Sequence, residues 1–380
     1  MEFRNLISIP SGPLPSVRIL LNALFSSQKS GGSWHEWFSK GNFYLYSRGM
    51  WALTEAIRAL LTKRGKEEGI VWFPDYFCNG ALIGVRQLQV KVCFYPTLKN
   101  LEPDWDILET EIRKINPPDI FVIVDYFGFP NVIEETGNFC QKYEIDLIED
   151  AAHAFSPCIG LGPGEHPVIF SLRKVLPLSE GGILVTSKEL DDYIRKQKMI
   201  LIDDSVVEWF IKRFVQKVMV TLEIPWHRFW KIKENQYEDY SSIAKGWTVI
   251  TSKLLIAMFG KFEEIIRKRR ENYNYLITQL LDDNTVPLFP TLPESVCPYV
   301  LPVLVNRNQD SILGNLHNSG IPAISWPDLP PEVLKNNGKH QGALWLRSHI
   351  ILFPVHQSLT RKQIDYIANT YRYISKSITI

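Results

Sequence analysis

Two adjacent cations, Arg173 and Lys174, interrupt an otherwise apolar stretch in the segment "FSLRKVLPLSEGG" at residues 170–182. Solvated lysines are common in surface loops, so this segment alone indicates little. A lysine in a ligand cleft can, however, form a Schiff base with an aldehyde when its amine is neutral for part of the time. Burial and a neighbouring cation both lower a lysine pKa toward that condition. Lys174 is therefore a candidate nucleophile.

A carboxylate and a hydroxyl accompany this lysine in the sequence. Asp150 follows the nearly apolar segment "IDLIE" at 145–149, and Ser171 follows the short apolar run at 168–170. If these two runs are neighbouring parallel strands, Asp150, Ser171 and Lys174 lie at the same edge of the sheet, where ligands of such sheets bind. A buried carboxylate that pairs with a protonated pyridine nitrogen, and a lysine that binds the aldehyde, are two requirements of a pyridoxal phosphate (PLP) site.

Each of these residues has a simpler interpretation when it is taken alone. Asp150 could cap a helix, Lys174 could be a surface lysine, His153 could be a structural histidine, and residues 179–182 could form a turn. Only their order and spacing together favour a cofactor site.

Strand and helix signals alternate in the first half of the chain. Short apolar runs predict strands at 70–73, 90–95, 120–124, 145–149, 168–170 and 183–186. Helical spacing of apolar residues predicts helices at 50–63, 106–115 and 134–143. This alternation predicts an α/β fold with a mostly parallel sheet covered by helices.

The second half of the chain has a different organisation. Apolar periodicity predicts helices at 205–222 and 251–281, and a strand at 301–305. A closing helix starts at the capping box formed by Thr360 and Gln363. We expect a large domain of residues 1–245 and a smaller C-terminal α+β domain of residues 246–380.

Composition excludes several classes of function. The 380 residues carry a formal net charge of +1, so we expect neither a nucleic-acid partner nor a membrane partner. The five cysteines are scattered without a C-x-x-C pair, which indicates no metal site and favours a reducing, cytoplasmic location.

Three segments carry a resemblance to a known family. They are "IEDAAHAF" at 148–155, "FSLRK" at 170–174 and "SEGGILVTS" at 179–187, with weaker counterparts at 47–53, 73–82 and 352–368. Together they resemble the DegT/StrS family of PLP-dependent sugar aminotransferases. The resemblance covers most of the chain and implies the fold of PLP transferases of type I and a homodimer.

The resemblance also assigns residues to the reaction centre. It implies that Lys174 binds the PLP aldehyde and moves the proton, that Asp150 pairs with the pyridine nitrogen, and that His153 contacts the phenolic oxygen. An aromatic side chain stacks on the ring in this family, and Tyr76 and Phe77 are both candidates.

The same resemblance places the cofactor phosphate at the start of the helix predicted at 50–63. It implies that Gly49 and Met50 offer backbone N–H groups there and that Ser171 adds a hydroxyl. Arg48 replaces a small residue of the family and is either a phosphate ligand or turned outward.

Two features depart from the family pattern. The spacing Ser-x-x-Lys at 171–174 is two residues shorter than is usual there. A Gly-x-Asn-x-Arg segment, whose asparagine reaches the phosphate of the partner subunit, has no counterpart at 240–251. The chain is therefore a divergent member by this resemblance.

The predicted reaction is the transfer of an amino group from an amino acid, glutamate in our hypothesis, to a keto sugar linked to a nucleotide. Such a reaction would serve the biosynthesis of a surface polysaccharide or a sugar metabolite. The alternatives are another PLP reaction such as sugar dehydration, in which the family replaces the lysine by histidine, a non-catalytic regulatory role, and a binding protein without cofactor.

Overall fold

The structure is a computed structural model that describes residues 7–25, 41–114, 117–155, 166–224, 244–280, 285–306, 308–326 and 328–378. Its strands are β1 (Asn42–Tyr46), β2 (Gly69–Pro74), β3 (Val90–Tyr95), β4 (Ile120–Val124), β5 (Asp146–Ala151), β6 (Val168–Ser171), β7 (Gly182–Thr186), β8 (Thr285–Pro287), β9 (Val300–Val305) and β10 (Ile350–Pro354).

The α-helices of the described residues are α1 (Val17–Phe25), α2 (Gly49–Lys63), α3 (Trp105–Ile112), α4 (Ile133–Lys142), α5 (Asp204–Thr221), α6 (Val249–Met258), α7 (Phe262–Leu280), α8 (Gln309–Asn318), α9 (Pro331–Lys335), α10 (Gln341–His349) and α11 (Arg361–Ile378).

The first seven strands form one sheet in the order β1-β7-β6-β5-β4-β2-β3. The neighbours from β6 to β3 are parallel, whereas β7 pairs antiparallel with both β6 and β1. The predicted α/β fold with a mostly parallel sheet is therefore confirmed. Parallel neighbours place the carboxyl ends of β4, β5 and β6 at one edge.

Helices cover both faces of this sheet, which explains why β4, in the middle of the sheet, is apolar throughout. Ile120 and Val122 of β4 belong to the core cluster that contains α2. Phe121 and Ile123 belong to the opposite cluster, which contains residues of α3 and α4. Successive side chains of one strand therefore face two different helix layers.

The prediction of one continuous helix at 251–281 is wrong. The structure has two helices, α6 and α7, separated by a single 3-10 turn at Phe259–Lys261. Gly260 lies in that turn, and glycine has a low helix propensity because it loses the most backbone freedom when it is fixed.

The C-terminal part contains a three-stranded antiparallel sheet in the order β10-β9-β8, and Tyr371 of α11 contacts Phe353 of β10 and Thr285 of β8. The predicted capping box precedes α11: the Thr360 N–H donates to Gln363 Oε1 at 2.8 Å, and the Gln363 N–H donates to Thr360 Oγ1 at 3.3 Å. The small antiparallel sheet near the C-terminus agrees with the expected fold class. The division of the chain at residue 245 stays a prediction.

A buried glutamate joins the large sheet to the second half of the chain. Glu180, just before β7, accepts hydrogen bonds from the Thr248 N–H at 2.8 Å and from the hydroxyls of Thr248 and Thr251 at 2.7 and 2.6 Å. Thr248 is the N-cap of α6, so the carboxylate lies at the positive end of that helix. In the part of the chain that the structure describes, no helix is long and apolar enough to cross a membrane.

Candidate active site

Asp150 and Lys174 lie at the ends of two neighbouring strands, as the sequence predicts. β5 and β6 pair in parallel, with Asp150 opposite Ile169. A 3-10 turn at Leu172–Lys174 follows β6 directly and brings the lysine back over the strand ends. Both residues line one cavity of about 400 Å³.

The carboxyl group of Asp150 is buried, and its own strand, β5, contains no cationic residue. Its Oδ1 accepts a hydrogen bond from the Ala152 N–H at 3.0 Å. Burial raises the pKa of Asp150, while the charge of Lys174 and the Ala152 hydrogen bond act in the opposite direction. A carboxylate in this position is stabilised by a bound cationic group in the cavity.

His153 is held in a defined tautomer between two aromatic rings. Its ring is nearly parallel to those of Phe127 and Tyr299, with centroids 5.8 and 4.9 Å away. The Phe127 N–H donates to His153 Nδ1 at 3.1 Å, so the proton of the neutral ring is on Nε2. Burial, with the charge of Lys174, lowers the pKa of His153, which keeps the ring neutral.

The start of α2 approaches the end of β6. A Cβ built on Gly49 would lie 3.3 Å from Ser171 Cβ and 3.6 Å from Ser171 Oγ. Gly49, Met50 and Ser171 all line the cavity, and the first N–H groups of a helix are donors suited to a phosphate. Glycine is also required at position 182, where a side chain would collide with the Arg48 carbonyl.

Arg48 also lines the cavity, and its Nη1 donates to the carbonyl of Ser179. The guanidinium therefore ties the N-terminus of α2 to the loop between the 3-10 turn and β7, instead of being turned outward into solvent. Its positive charge still lies at the cavity wall.

The two aromatic candidates occupy different environments. Phe77 lines the cavity, 5.0 Å from Phe73 by ring centroids. Tyr76 is fully buried outside the cavity lining and packs on Trp326, with centroids 4.6 Å apart. Placement therefore favours Phe77 as the residue next to a bound ring, a choice that the sequence left open.

Several cavity residues carry no motif that sequence reasoning could have used. They come from the N-terminal segment, α5 and α7, namely Ser11, Gly12, Pro13, Arg213 and Arg269. His356 also lines the cavity, and it belongs to the segment 352–368 that resembles the family, but the resemblance assigned it no role. Each is distant in sequence from the strand ends, and only folding brings them to the cavity. For Arg213, the amphipathic pattern of α5 gives no sign that this arginine faces inward.

The sequence gives no motif for substrate contacts, and His340, His349, Trp326 and Tyr126 are candidates by residue type alone. Of these four, Trp326 is the one that lines this cavity. Tyr126 is buried and donates to the Tyr76 carbonyl at 2.7 Å. His340 pairs with Asp75 at 3.0 Å, and His349 contacts the Trp345 carbonyl at 2.8 Å. These three side chains therefore bond to other parts of the protein and lie outside the cavity lining.

Arg269 of α7 fixes the loop that carries the lysine. It is fully buried and donates to the carbonyls of Pro298 and Tyr299 at 3.0 Å and of Val175 at 3.1 Å. Val175 directly follows Lys174, so this arginine holds the turn of the lysine against the C-terminal part of the chain.

The charges of the cavity favour an anionic ligand. Its lining includes five cations, Arg48, Arg173, Lys174, Arg213 and Arg269, against the carboxylates of Asp150 and Asp328. PLP carries a phosphate and, when its pyridine is protonated, a ring cation. The cationic wall suits the phosphate and buried Asp150 suits the ring, so the residues present fit this cofactor.

The segment 240–251, where the asparagine motif of the family was not found, is only partly described. Residues 240–243 lie outside the described part of the chain. From residue 244 on, the segment leads into Thr248 and α6, and Trp247 Nε1 donates to the Tyr46 carbonyl at 2.7 Å.

Comparison with known proteins gives a family and a fold. The model of the DegT/DnrJ/EryC1/StrS aminotransferase family matches residues 96–372. No curated protein sequence matches this one.

Solved structures match over almost the full length at low identity. A DegT/DnrJ/EryC1/StrS aminotransferase from Brucella abortus is 17% identical, with 94% of this chain and 95% of that chain covered and a TM-score of 0.66. The putative sugar aminotransferase Spr1654 from Streptococcus pneumoniae, in its PMP form, is 15% identical over 98% of both chains, with a TM-score of 0.70. PseC from Helicobacter pylori is 18% identical, with 96% and 98% covered and a TM-score of 0.68. At this identity these structures show the fold.

Proposed function

Because this chain belongs to the DegT/DnrJ/EryC1/StrS aminotransferase family, and is thus a PLP-dependent aminotransferase, we propose that it transfers an amino group from glutamate to a keto sugar linked to a nucleotide. The observation that carries the proposal is the shared cavity of Lys174 and Asp150, in which the charge of the lysine acts on the carboxylate. We also propose that it works in the cytoplasm as a homodimer, in the biosynthesis of a surface polysaccharide or a sugar metabolite.

Bound PLP supplies an aldehyde that exchanges amines and a protonated ring that withdraws electrons from the reacting carbon. In this proposal, Asp150 holds the ring nitrogen in its protonated form and Phe77 packs on the ring. Ser171 and the backbone N–H groups of Gly49 and Met50 hold the phosphate. His153 presents its Nε2–H to the phenolic oxygen, because its Nδ1 is already occupied by the Phe127 N–H.

Lys174 is the group best suited to move the proton of the reaction at its Nζ. Burial raises the pKa of the Cys78 thiol, which therefore stays protonated, and His153 is held neutral with its Nδ1 occupied. Asp150 pairs with the ring nitrogen in this proposal and is therefore not the group that moves the proton. A lysine amine that becomes neutral can accept a proton from the donor carbon and return it to the acceptor carbon.

The charges of the cavity support the proposed substrates. Glutamate has two carboxylates and a nucleotide-linked sugar has a diphosphate, and the positive charge of the wall attracts either kind of anion. Among the structural neighbours, PseC takes part in the biosynthesis of pseudoaminic acid, and Spr1654 is a putative sugar aminotransferase. Both descriptions favour a sugar acceptor for this chain.

The test is a two-step assay on the purified protein loaded with PLP. Glutamate is added first, and conversion of the cofactor to its amine form is followed by visible absorbance. A panel of nucleotide keto sugars is then added, and return of the original absorbance together with an aminated sugar in the mass spectrum is expected for at least one. Conversion by glutamate without return for any keto sugar would contradict the proposed acceptor.

A further inference from the structure

His356, two residues after β10, is a buried histidine with one ring nitrogen that is hydrogen-bonded and one that has no partner among the described residues. It is 4% exposed and lines the same cavity as Lys174. Nε2 lies 3.1 Å from the Pro10 carbonyl, which can only accept, so Nε2 carries the proton of the neutral ring. Nδ1 is buried and has no hydrogen-bond partner among the described residues.

The tautomer of His356 determines what its unpartnered Nδ1 can bind. With the proton on Nε2, Nδ1 presents a lone pair and can only accept a hydrogen bond. A buried acceptor without a partner costs about 1–3 kcal/mol, which a ligand that brings a donor can recover. The arrangement therefore indicates a ligand group with a hydrogen to donate.

The charges around His356 decide which donor fits. Arg213 and Arg269 line the same cavity, and both lie close enough to act on the histidine. Burial and these two cations lower the pKa of His356 to about 3, so the ring stays neutral at physiological pH. An ammonium group would be repelled by the two arginines, and a carboxylate has no hydrogen for Nδ1. A neutral hydroxyl satisfies both conditions.

We propose that Nδ1 of His356 accepts a hydrogen bond from a hydroxyl group of the acceptor keto sugar and so selects this substrate over analogues that lack that hydroxyl. This inference rests on the proposed function, since it assigns a contact to its second substrate. The amino-acid donor has only ammonium and carboxylate groups, so His356 distinguishes the sugar half of the reaction from the donor half.

A second role of His356 is already visible and must be separated from the first. Its Nε2 holds the N-terminal segment at Pro10, beside Ser11, Gly12 and Pro13 of the cavity wall. A loss of activity in a simple deletion of the side chain would therefore not distinguish recognition from anchoring.

Two isosteric replacements separate the roles. In His356→Asn the amide oxygen can take the place of Nδ1, while the contact with Pro10 is lost. In His356→Gln the amide N–H can reach the Pro10 carbonyl in place of Nε2, while the acceptor at the Nδ1 position is lost. Both variants are compared with the wild type by kcat/KM for the accepted nucleotide keto sugar and for its deoxy analogues at each ring position.

We expect kcat/KM for the hydroxylated sugar to fall about 10- to 100-fold in His356→Gln, with one deoxy analogue equally good in wild type and variant. His356→Asn should keep most of the discrimination, and the reaction with glutamate should be unchanged in both. Calorimetry of sugar binding should show the same ranking. Equal discrimination in wild type and His356→Gln, or a loss only in His356→Asn, would overturn the proposal while transamination stands. Failure of every keto sugar with the wild type would overturn the proposed function as well.

Discussion

Asp150 at the end of β5 and Lys174 in the turn that follows the adjacent parallel strand β6 line one cavity, and the charge of the lysine lowers the pKa of a carboxyl group whose pKa burial raises. Two oppositely charged groups in a buried cleft stabilise each other as long as no ligand is bound. In the proposed reaction, the carboxylate of Asp150 pairs with the ring nitrogen of the cofactor and the amine of Lys174 binds its aldehyde.

Asp150→Asn should lower kcat by about 100- to 1,000-fold, because the ring nitrogen loses the charge that keeps it protonated. The asparagine can still accept the hydrogen bond of the Ala152 N–H, so the fold should be retained. Steady-state kinetics with glutamate and the accepted sugar measure the effect. Asp146→Asn, at the other end of β5, is the control and should be close to the wild type.

Arg213→Gln should raise the KM of an anionic substrate about 10- to 100-fold, because the loss of one hydrogen bond to a charged group weakens binding by about that factor. The effect on kcat should be smaller. Arg213 lines the cavity and donates to Gln216 at 2.7 Å on the same helix. Separate titrations of glutamate and the sugar show which anion it binds. Lys212→Gln removes a neighbouring cation that is 57% exposed and should change neither KM. Unaltered KM values for both substrates in Arg213→Gln would show that this arginine does not bind either of them.

Glu180→Ala should lower the free energy of unfolding by about 3 kcal/mol, because three donors at the start of α6 lose their charged acceptor in a buried place. Glu189→Ala removes a glutamate that is 78% exposed and pairs with Lys63 at the surface. That control should cost at most about 1 kcal/mol. Urea unfolding followed by circular dichroism measures both, and equal losses would contradict the anchoring role of Glu180.

His356 should make the protein less stable as the pH falls below about 6.5, the usual pKa of histidine. Its pKa in the fold is lowered to about 3, so between these values the unfolded chain binds a proton that the folded chain does not. At pH 5.5 this difference amounts to about 1.4 kcal/mol. His356→Gln should therefore lose less stability than the wild type between pH 7 and pH 5.5, as measured by urea unfolding at both values. Parallel losses in the two proteins would contradict a buried neutral His356.

The strands that hold the reaction centre could be predicted because each is a short apolar run followed directly by polar residues. The runs at 145–149 and 168–170 correspond to β5 and β6, and their parallel pairing brings Asp150 and Lys174 together as expected. Local pattern suffices here, since a strand buried on both faces is predominantly apolar.

The rest of the cavity wall could not be predicted, because it is made by long-range contacts that leave no periodic signal. Arg213, Arg269 and His356 reach the cavity from α5, α7 and the residues after β10. Apolar residues at helical spacing predicted α5, but they are not its buried side: Phe214 and Val218 are 50% and 41% exposed, while Gln216 is buried. Apolar spacing predicts a helix, but it does not determine which side of that helix the fold covers.

The central claim is that the amine of Lys174 binds PLP covalently, and borohydride trapping tests it most directly. The protein is loaded with PLP, reduced with borohydride, digested and analysed by mass spectrometry, with Lys174→Ala treated in the same way. The account predicts a pyridoxyl group on the peptide that contains Lys174, no specific label in Lys174→Ala, and loss of transamination in that variant. A label on another lysine, or turnover that persists in Lys174→Ala, would contradict it.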